Sequence, residues 1–464
     1  MLKEFDLLIV GGGPGGYVAA IRAAQLGMNV GLIEQDKLGG LCLNWGCIPS
    51  KALLRSAEVY HLMHRAKEFG LRAEQISFEW QEIIQRSRKI AEQINKGVHF
   101  LFRKNKIEHI DGHGRLRKDK TIEVTKNGKA VGEYRAKHII VATGGKHRSI
   151  PGVEIDHKKV MTSTEAMVLE SIPKSMVIIG GGPIGVEFAY FYNAFGCKVT
   201  ILEMMPQILP FEDEEVVKSL TASFKKSGIA VETEAKVETL KTSAKGVTVT
   251  VATKAGKKDF SGELALMAVG FSGNTDNLGL EEIGVAVDKT FIKYDSNYRT
   301  NVPGIYAVGD VIGAPLLAHV ASAEGICCVE GIAGKNPAPV RYDAIPSCTY
   351  CQPQVASVGL TEAKAKAQGY DIAVGRFPFR PLGKSMAVGE TEGFVKLVFD
   401  KKYGELLGAH ILGSEATDLI AELVLAKTAE ATAHELIKTV HAHPTFTEAV
   451  MEAAANAFAE AIHI

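Results

Sequence analysis

Short apolar runs that end in glycine recur along the chain. Phe5–Val10 runs into Gly11–Gly16, and Ser175–Ile179 runs into Gly180–Gly185. Each is followed by a helical stretch (Tyr17–Gly27, Val186–Phe195) and a second apolar run, Asn29–Ile33 or Lys198–Leu202, that ends in an acid. An apolar run of this length bounded by glycines predicts a buried strand, and the strand–helix–strand order predicts a parallel sheet. Further buried strands are predicted at His138–Gly145 and Leu264–Gly270. Ile107–Ile140 alternates and is broken by glycines, which predicts hairpins, and Val231–Thr253 reads as β-rich. From about Asp343 the pattern changes. Strands at Gln354–Gly359, Gly393–Asp400 and Leu406–Ile411 precede Ala-rich helices at Ala416–Ala431 and Glu448–Ile462, the signature of an α+β domain on an antiparallel sheet.

The two glycine runs share one chemistry. Gly11, Gly13 and Gly16 make G-x-G-x-x-G, and Glu34 follows eighteen residues later; Gly180, Gly182, Gly185 and Glu203 repeat the spacing. The glycines permit a tight turn and close approach of a pyrophosphate, the helix N-terminus offers it positive charge, and the carboxylate accepts from a ribose hydroxyl. Two complete fingerprints predict two dinucleotides in separate domains. The expected class is α/β, with two Rossmann-like dinucleotide-binding domains (1–148 and 149–271), a central segment (272–343) and a C-terminal α+β domain (344–464). Pro151-Gly152 marks the entry to the second domain, and Asp310 ends the Thr300–Asp310 strand segment, where a carboxylate is well placed to meet a ligand hydroxyl.

Composition narrows the function. At 464 residues the chain calls for several cores. Lys+Arg and Asp+Glu are equal at 53 each, so bulk charge argues for neither nucleic acid nor an anionic membrane. No apolar run reaches the ~18–20 residues of a membrane span, and the N-terminal run reads as a first strand rather than a signal peptide. Seven cysteines, an odd number, fit a reducing compartment, and the cytoplasm is expected.

The stretch Gly39–Leu54, GGLCLNWGCIPSKALL, is the most distinctive. Cys42 and Cys47 lie in a glycine-rich turn, and a helix is predicted to start at Pro49, since proline is tolerated in a first turn. Positive N–H groups at a helix start stabilise a thiolate, so the pair reads as a redox-active dithiol or disulfide. Two buried structural cysteines, or half of a metal site, fit the spacing as well. C-x4-C is not a usual zinc spacing and no second half lies nearby.

Taken with GGGPGG at 11–16, ATGG at 142–145, GGGPIGVE at 180–187, YAVGDV at 306–311, APLLAH at 314–319 and HAHPTFTEA at 441–449, this stretch resembles the pyridine nucleotide–disulfide oxidoreductases over the whole length, and among them the branch that oxidises dihydrolipoyl groups. The resemblance implies a Cys42–Cys47 redox disulfide, FAD on the first fingerprint and NAD on the second, and no metal. Gly11, Gly13, Gly16 and Glu34 would hold the ADP half of FAD and Asp310 its ribityl chain. Gly112, Thr143, Gly144, Leu317 and Ala318 match other flavin contacts, and Lys51 matches a lysine near the flavin ring that pairs with Glu187. Gly180, Gly182, Gly185, Glu203, Val237 and Gly270 match the NAD site. Glu203 is followed by Met204-Met205 rather than arginines, which points to NAD rather than NADP.

His443 matches the base that serves the thiol exchange, and Glu448 the carboxylate that orients it. The implied assembly is a homodimer with a shared active site, and the implied partners are lipoyl-bearing carrier domains of 2-oxoacid dehydrogenase or glycine cleavage complexes. Two other readings compete: a flavin-dependent reductase of another small acceptor, and a non-catalytic flavin or NADH sensor. The chain ends without the extra cysteine pair of mercuric reductases, and a sensor needs none of Cys42, Cys47, His443 and Glu448. Tyr350-Cys351-Gln352-Pro353 stands where many relatives have Tyr-Thr-His-Pro, and Cys348 and Cys351 are read as structural thiols.

Overall fold

The computed structural model describes residues 2–464. Its contacts group the chain into two compact units. The first takes the chain up to Ala52, then Gln81–Arg148 and Gly270–Val340; the second takes Leu53–Trp80, Ser149–Val269 and Arg341–Ile464.

In the first unit the strand Lys3–Val10 sits mid-sheet, parallel to Val30–Glu34 on one side and Lys129–Val141 on the other. Glu108–Asp111 extends the sheet beyond Val30–Glu34, and Ile305–Ala307 pairs in parallel with Lys129–Val141. Thr121–Lys126 and His113–Leu116 add the antiparallel hairpins that the alternating stretch predicts. Leu7, Leu8 and Ile9 are fully buried, because a central parallel strand is covered on both faces. The helix Pro14–Gln25 begins three residues earlier than the apolar pattern suggests, since Pro14 is pre-shaped for a first turn.

The second unit repeats the scheme in a parallel sheet ordered Ala230–Glu232, Lys198–Leu202, Ser175–Ile179, Leu264–Met267, Val160–Met161. The β-rich stretch becomes an antiparallel sheet of Lys236–Ser243, Gly246–Thr253 and Gly256–Gly262. The C-terminal sheet is antiparallel, ordered Ser347–Thr349, Gln354–Gly359, Leu406–Gly413, Gly393–Asp400, Ile372–Pro378. The α/β class with two Rossmann-like units and an α+β C-terminal region is therefore observed.

Two helical expectations need correction. Cys42 is not in a turn: it lies in a short helix, Gly40–Trp45, and the next helix, Cys47–His64, starts at Cys47 itself, with Pro49 inside its first turn. Gly39 enters the short helix at φ 92° and Gly46 closes it, so the glycines break one helix into two rather than forming a loop. The C-terminal helices are shorter than expected, at Ala416–Thr428 and Glu448–Ala457. Glu430 and Ala459 take left-handed φ values of 55° and 60°, which end a right-handed helix, and buried Glu452 accepts from the N–H groups of Ile462 and His463 to turn the tail back.

A buried charge cluster braces the second unit. Lys396, 3% exposed, places Nζ 2.8 Å from Asp213, 3.2 Å from Glu215 and 2.9 Å from Glu362. Arg376 bonds the same Glu215 and Glu362 at 2.8 and 3.0 Å, and Asp213 caps the helix Glu214–Lys226 by accepting from the N–H of Glu215. The salt bridge ties a helix of the second βαβ region to the C-terminal sheet. No helix among the described residues is long and apolar enough to cross a membrane.

Candidate active site

Both fingerprints close as their spacing requires. An added Cβ at Gly16 would fall 1.9 Å from the carbonyl oxygen of Gly11, and at Gly185 2.0 Å from that of Gly180, so only glycine lets each helix approach its strand this closely. At Gly13 and Gly182 an added Cβ would meet no protein atom within 4 Å. It would project into open space at a helix start where neither Gly13 nor Gly182 supplies a side-chain cap. The first-turn N–H groups thus lack a capping side chain, as an anion site requires.

Glu34 accepts from the N–H of Gly12 (2.7 Å) and of Asp36 (2.9 Å); Glu203 accepts from Gly181 (2.6 Å) and Met205 (2.8 Å). Each carboxylate oxygen keeps a further lone pair for a hydroxyl. Burial pushes the Glu34 carboxyl up despite these bonds. A cleft of ≈ 270 Å³ is lined by Gly11, Glu34, Gly112, Thr143, Asn274 and Asn277. Thr143 Oγ1 donates to Asn274 O (2.7 Å), and Gly144, at φ 72°, accepts from the N–H of Asn274. Asp310 follows the strand Ile305–Ala307 in a 3-10 turn, and burial pushes its carboxyl up to about 6. Leu317 is the cap residue of the helix Ala318–Ile332, whose first residue is Ala318. These donors, glycines and acids fit the polar half of a dinucleotide.

In the second unit Val237 is buried in Lys236–Ser243, and Glu187 lies in the helix Pro183–Ala194, 7% exposed, accepting from the N–H of Tyr350 at 3.0 Å. Gly270, at φ 91°, accepts from the N–H of Arg148 where the first unit resumes.

Cys42 and Cys47 form a disulfide with Cα atoms 4.8 Å apart, both half-buried. The disulfide, one of the three readings the spacing left open, is therefore present. Its frame is rigid for reasons invisible in the motif. Buried Asn44 donates to Leu38 O (3.0 Å) and Gly40 O (2.9 Å), and Arg88, from the helix Trp80–Lys104, donates to Asn44 O at 2.6 Å. The same guanidinium lies 4.7 Å above the Trp45 ring, and Trp45 Nε1 donates to Asp36. Ser50 Oγ donates to Cys47 O, and Lys51 Nζ lies 3.5 Å from Ser50 Oγ.

His443 and Glu448 are joined directly, Nδ1 to Oε1 at 2.8 Å, while Oε2 accepts from the N–H of Thr445 at 2.8 Å. Burial pushes the Glu448 carboxyl up, but the Thr445 and His443 hydrogen bonds outweigh it and hold it below the usual range. Because the carboxylate can only accept, Nδ1 carries the hydrogen and Nε2 keeps a lone pair. The His443 side chain is 77% exposed, so that lone pair is available to a substrate. Cys348 and Cys351 take part in no disulfide; Cys351 is buried and its Sγ lies 3.2 Å from Pro353 O.

Three comparisons bear on this geometry. The family model described as pyridine nucleotide-disulphide oxidoreductase matches residues 5–325, and its dimerisation domain matches residues 345–454. A dihydrolipoyl dehydrogenase of Rhizobium etli is 46% identical with all of both chains aligned, and one of Chlorobaculum tepidum is 48% identical over 98% of each chain. Among solved structures, LpdA of Mycobacterium tuberculosis superposes with a TM-score of 0.90 at 27% identity, covering 98% of this chain and 99% of that one. The HOCl-induced flavoprotein disulfide reductase RclA of Escherichia coli, as its Cu(II) complex, gives 0.88 at 26% identity over 98% and 99%. With its two fingerprints, its disulfide and its His–Glu pair, the chain belongs to the pyridine nucleotide-disulphide oxidoreductase family.

Proposed function

We propose that this chain oxidises dihydrolipoyl groups to lipoyl groups and reduces NAD⁺ to NADH, the reaction for which its Rhizobium etli and Chlorobaculum tepidum relatives are named. The carrying observation is the pairing of an intact Cys42–Cys47 disulfide with a His443 whose Nε2 is left free by Glu448. The working form is a homodimer, and each site takes Cys42 and Cys47 from one chain and His443 and Glu448 from the other.

His443 Nε2 takes the proton of a substrate thiol. The resulting thiolate attacks Cys42 Sγ, breaking the Cys42–Cys47 bond and leaving the electron pair on Cys47. The second substrate sulfur attacks the substrate sulfur of the mixed disulfide and closes the product ring; its proton passes by way of His443 to the departing Cys42, which leaves as a thiol. Cys47, at a helix start, is the sulfur whose thiolate the helix stabilises. Bound FAD would supply the two-electron relay between the Cys42–Cys47 dithiol and NAD⁺.

Gly11, Gly13, Gly16, Glu34, Gly112, Thr143, Gly144, Asp310, Leu317 and Ala318 hold the flavin nucleotide in this reading, with Lys51 and Glu187 beside its ring. Gly180, Gly182, Gly185, Glu203, Val237 and Gly270 hold NAD. The functional domains are 1–148, 149–271, 272–343 and 344–464. Partners are lipoyl carrier domains of 2-oxoacid dehydrogenase or glycine cleavage complexes, and the setting is the cytoplasm.

Steady-state turnover of purified flavin-loaded protein tests this. Dihydrolipoamide with NAD⁺ is expected to outrun glutathione disulfide with NADPH by orders of magnitude. Comparable rates, or no NADH from dihydrolipoamide, would overturn the assignment.

A further inference from the structure

The loop that carries His443 is pinned by a second histidine. His441 Nδ1 lies 3.0 Å from Thr439 O, and its Nε2 lies 2.7 Å from Glu422 Oε1 on the helix Ala416–Thr428. Its side chain is 5% exposed, in contrast to the 77% of His443 two residues on. A peptide carbonyl only accepts and a carboxylate only accepts, whereas a neutral imidazole has one donor and one acceptor nitrogen. Both contacts are made only if the ring donates at both nitrogens.

We propose that His441 is a positioning residue for the thiol exchange: a buried imidazolium, clamped between Thr439 O and Glu422, that fixes the segment from which His443 reaches its substrate. The inference rests on His443 being the base. The same segment is laced from its other end, where Thr445 Oγ1 donates to Ala442 O at 2.7 Å and the Thr445 N–H bonds Glu448. His443 therefore sits on a short span tied at 439–441 to the helix Ala416–Thr428 and at 445 to the helix Glu448–Ala457. The His441–Glu422 pair is net neutral, so it anchors the span without opposing the charge that His443 gains when it takes a proton. A base displaced by about 1 Å from its proton loses about a hundredfold in rate, which gives this clamp a kinetic consequence.

The test uses the flavin-loaded protein in its native oligomeric state. His441→Phe and Glu422→Ala are expected to lower dihydrolipoamide–NAD⁺ turnover by about tenfold to a hundredfold. NADH–ferricyanide turnover, which needs no dithiol base, stays at the wild-type level. Glu422→Gln is the discriminating variant. Its amide can turn to donate to Nε2 while Nδ1 donates to Thr439 O, so both contacts survive with a neutral ring, and dithiol turnover is expected within about threefold of wild type. Nitrogen-15 NMR of histidine-labelled protein, assigned by the signal lost in His441→Phe, is expected to show hydrogens on both ring nitrogens in wild type and on one in Glu422→Gln. A bare ring nitrogen in wild type, unchanged dithiol turnover in Glu422→Ala, or a Glu422→Gln protein as impaired as Glu422→Ala would each overturn the inference. His443→Gln serves as the reference: if it retains dithiol turnover, the reading of the base fails, whereas its inactivity beside a fully active Glu422→Ala removes only the role of His441.

Discussion

Replacing Glu448 by glutamine changes no volume, yet it should disable the base. In the native site two carboxylate oxygens each accept one N–H, from His443 Nδ1 and from Thr445, both at 2.8 Å. Glutamine offers one oxygen and one NH₂ in the same place. If the oxygen faces His443, the NH₂ points at the Thr445 N–H and leaves that donor unpaired, at a cost of about 1–3 kcal/mol. If the amide turns, the oxygen accepts from Thr445 and the NH₂ donates to Nδ1. The hydrogen of the neutral ring then moves to Nε2, where the lone pair is needed. The turned form is favoured by that same 1–3 kcal/mol, which corresponds to about five- to 150-fold depletion of the working tautomer. The assay is kcat/KM for dihydrolipoamide at saturating NAD⁺, with NADH–ferricyanide turnover on the same preparation as control. A drop in that range with the control unchanged is expected. Dithiol turnover within about twofold of wild type, or an equal fall in both activities, would show that Glu448 does not set the tautomer.

Further expectations follow from the same geometry. Reduced protein treated with limiting iodoacetamide should be alkylated chiefly at Cys42, as mapped by peptide mass spectrometry; chief labelling at Cys47 reverses the two sulfurs' roles. Glu203, already holding the Gly181 and Met205 N–H groups, would face a 2′-phosphate with like charge, so kcat/KM should favour NAD⁺ strongly over NADP⁺ and Glu203→Gln should narrow the ratio; a wild-type ratio near one refutes this. Lys396→Met leaves Asp213 as a buried carboxylate without its cation while Arg376 still serves Glu215 and Glu362, and about 3–5 kcal/mol should be lost in urea unfolding, most of it regained by adding Asp213→Asn. The Lys366 and Lys396 hydrogen bonds hold the Glu362 carboxyl down to about 2, against an ordinary value of about 4.3. A depressed carboxylate stabilises the fold above its unfolded value, and the benefit fades as pH falls towards its folded one, so the Lys396→Met deficit should shrink below about pH 4.

The glycine fingerprints, their acids and the disulfide motif are legible because their chemistry is local: each is a fixed spacing on one strand–turn–helix. The helix Cys47–His64 starts before Pro49 for a local reason too, since two helices separated by Gly46 look in sequence like one loop and one helix. The helix Trp80–Lys104 carries no motif, and its signal in the sequence is the helical spacing of Ile84, Ala91, Val98 and Phe102, which share its buried face. Arg88 on that helix, Asn44 and Glu422 have no such signal. Glu422 meets His441 across 19 residues, and Arg88 meets Asn44 across 44, so only the folded chain brings these partners together. Lys396 reads in sequence as one lysine in an apolar strand, and its three acids lie in other elements.

The assembly of the site from two chains is tested most directly by mixed dimers of Cys47→Ser and His443→Gln proteins. Each homodimer should be almost inactive in dihydrolipoamide–NAD⁺ turnover, since one lacks the disulfide and the other the base. Unfolded together in equal amounts and refolded with FAD, half of the dimers carry one wild-type disulfide facing one wild-type His443. Recovery of about a quarter of wild-type activity is therefore expected for a two-fold dimer with random pairing. If mixed dimers form, as native mass spectrometry can establish, and no activity returns, Cys42, Cys47, His443 and Glu448 act within a single chain and the shared site is wrong.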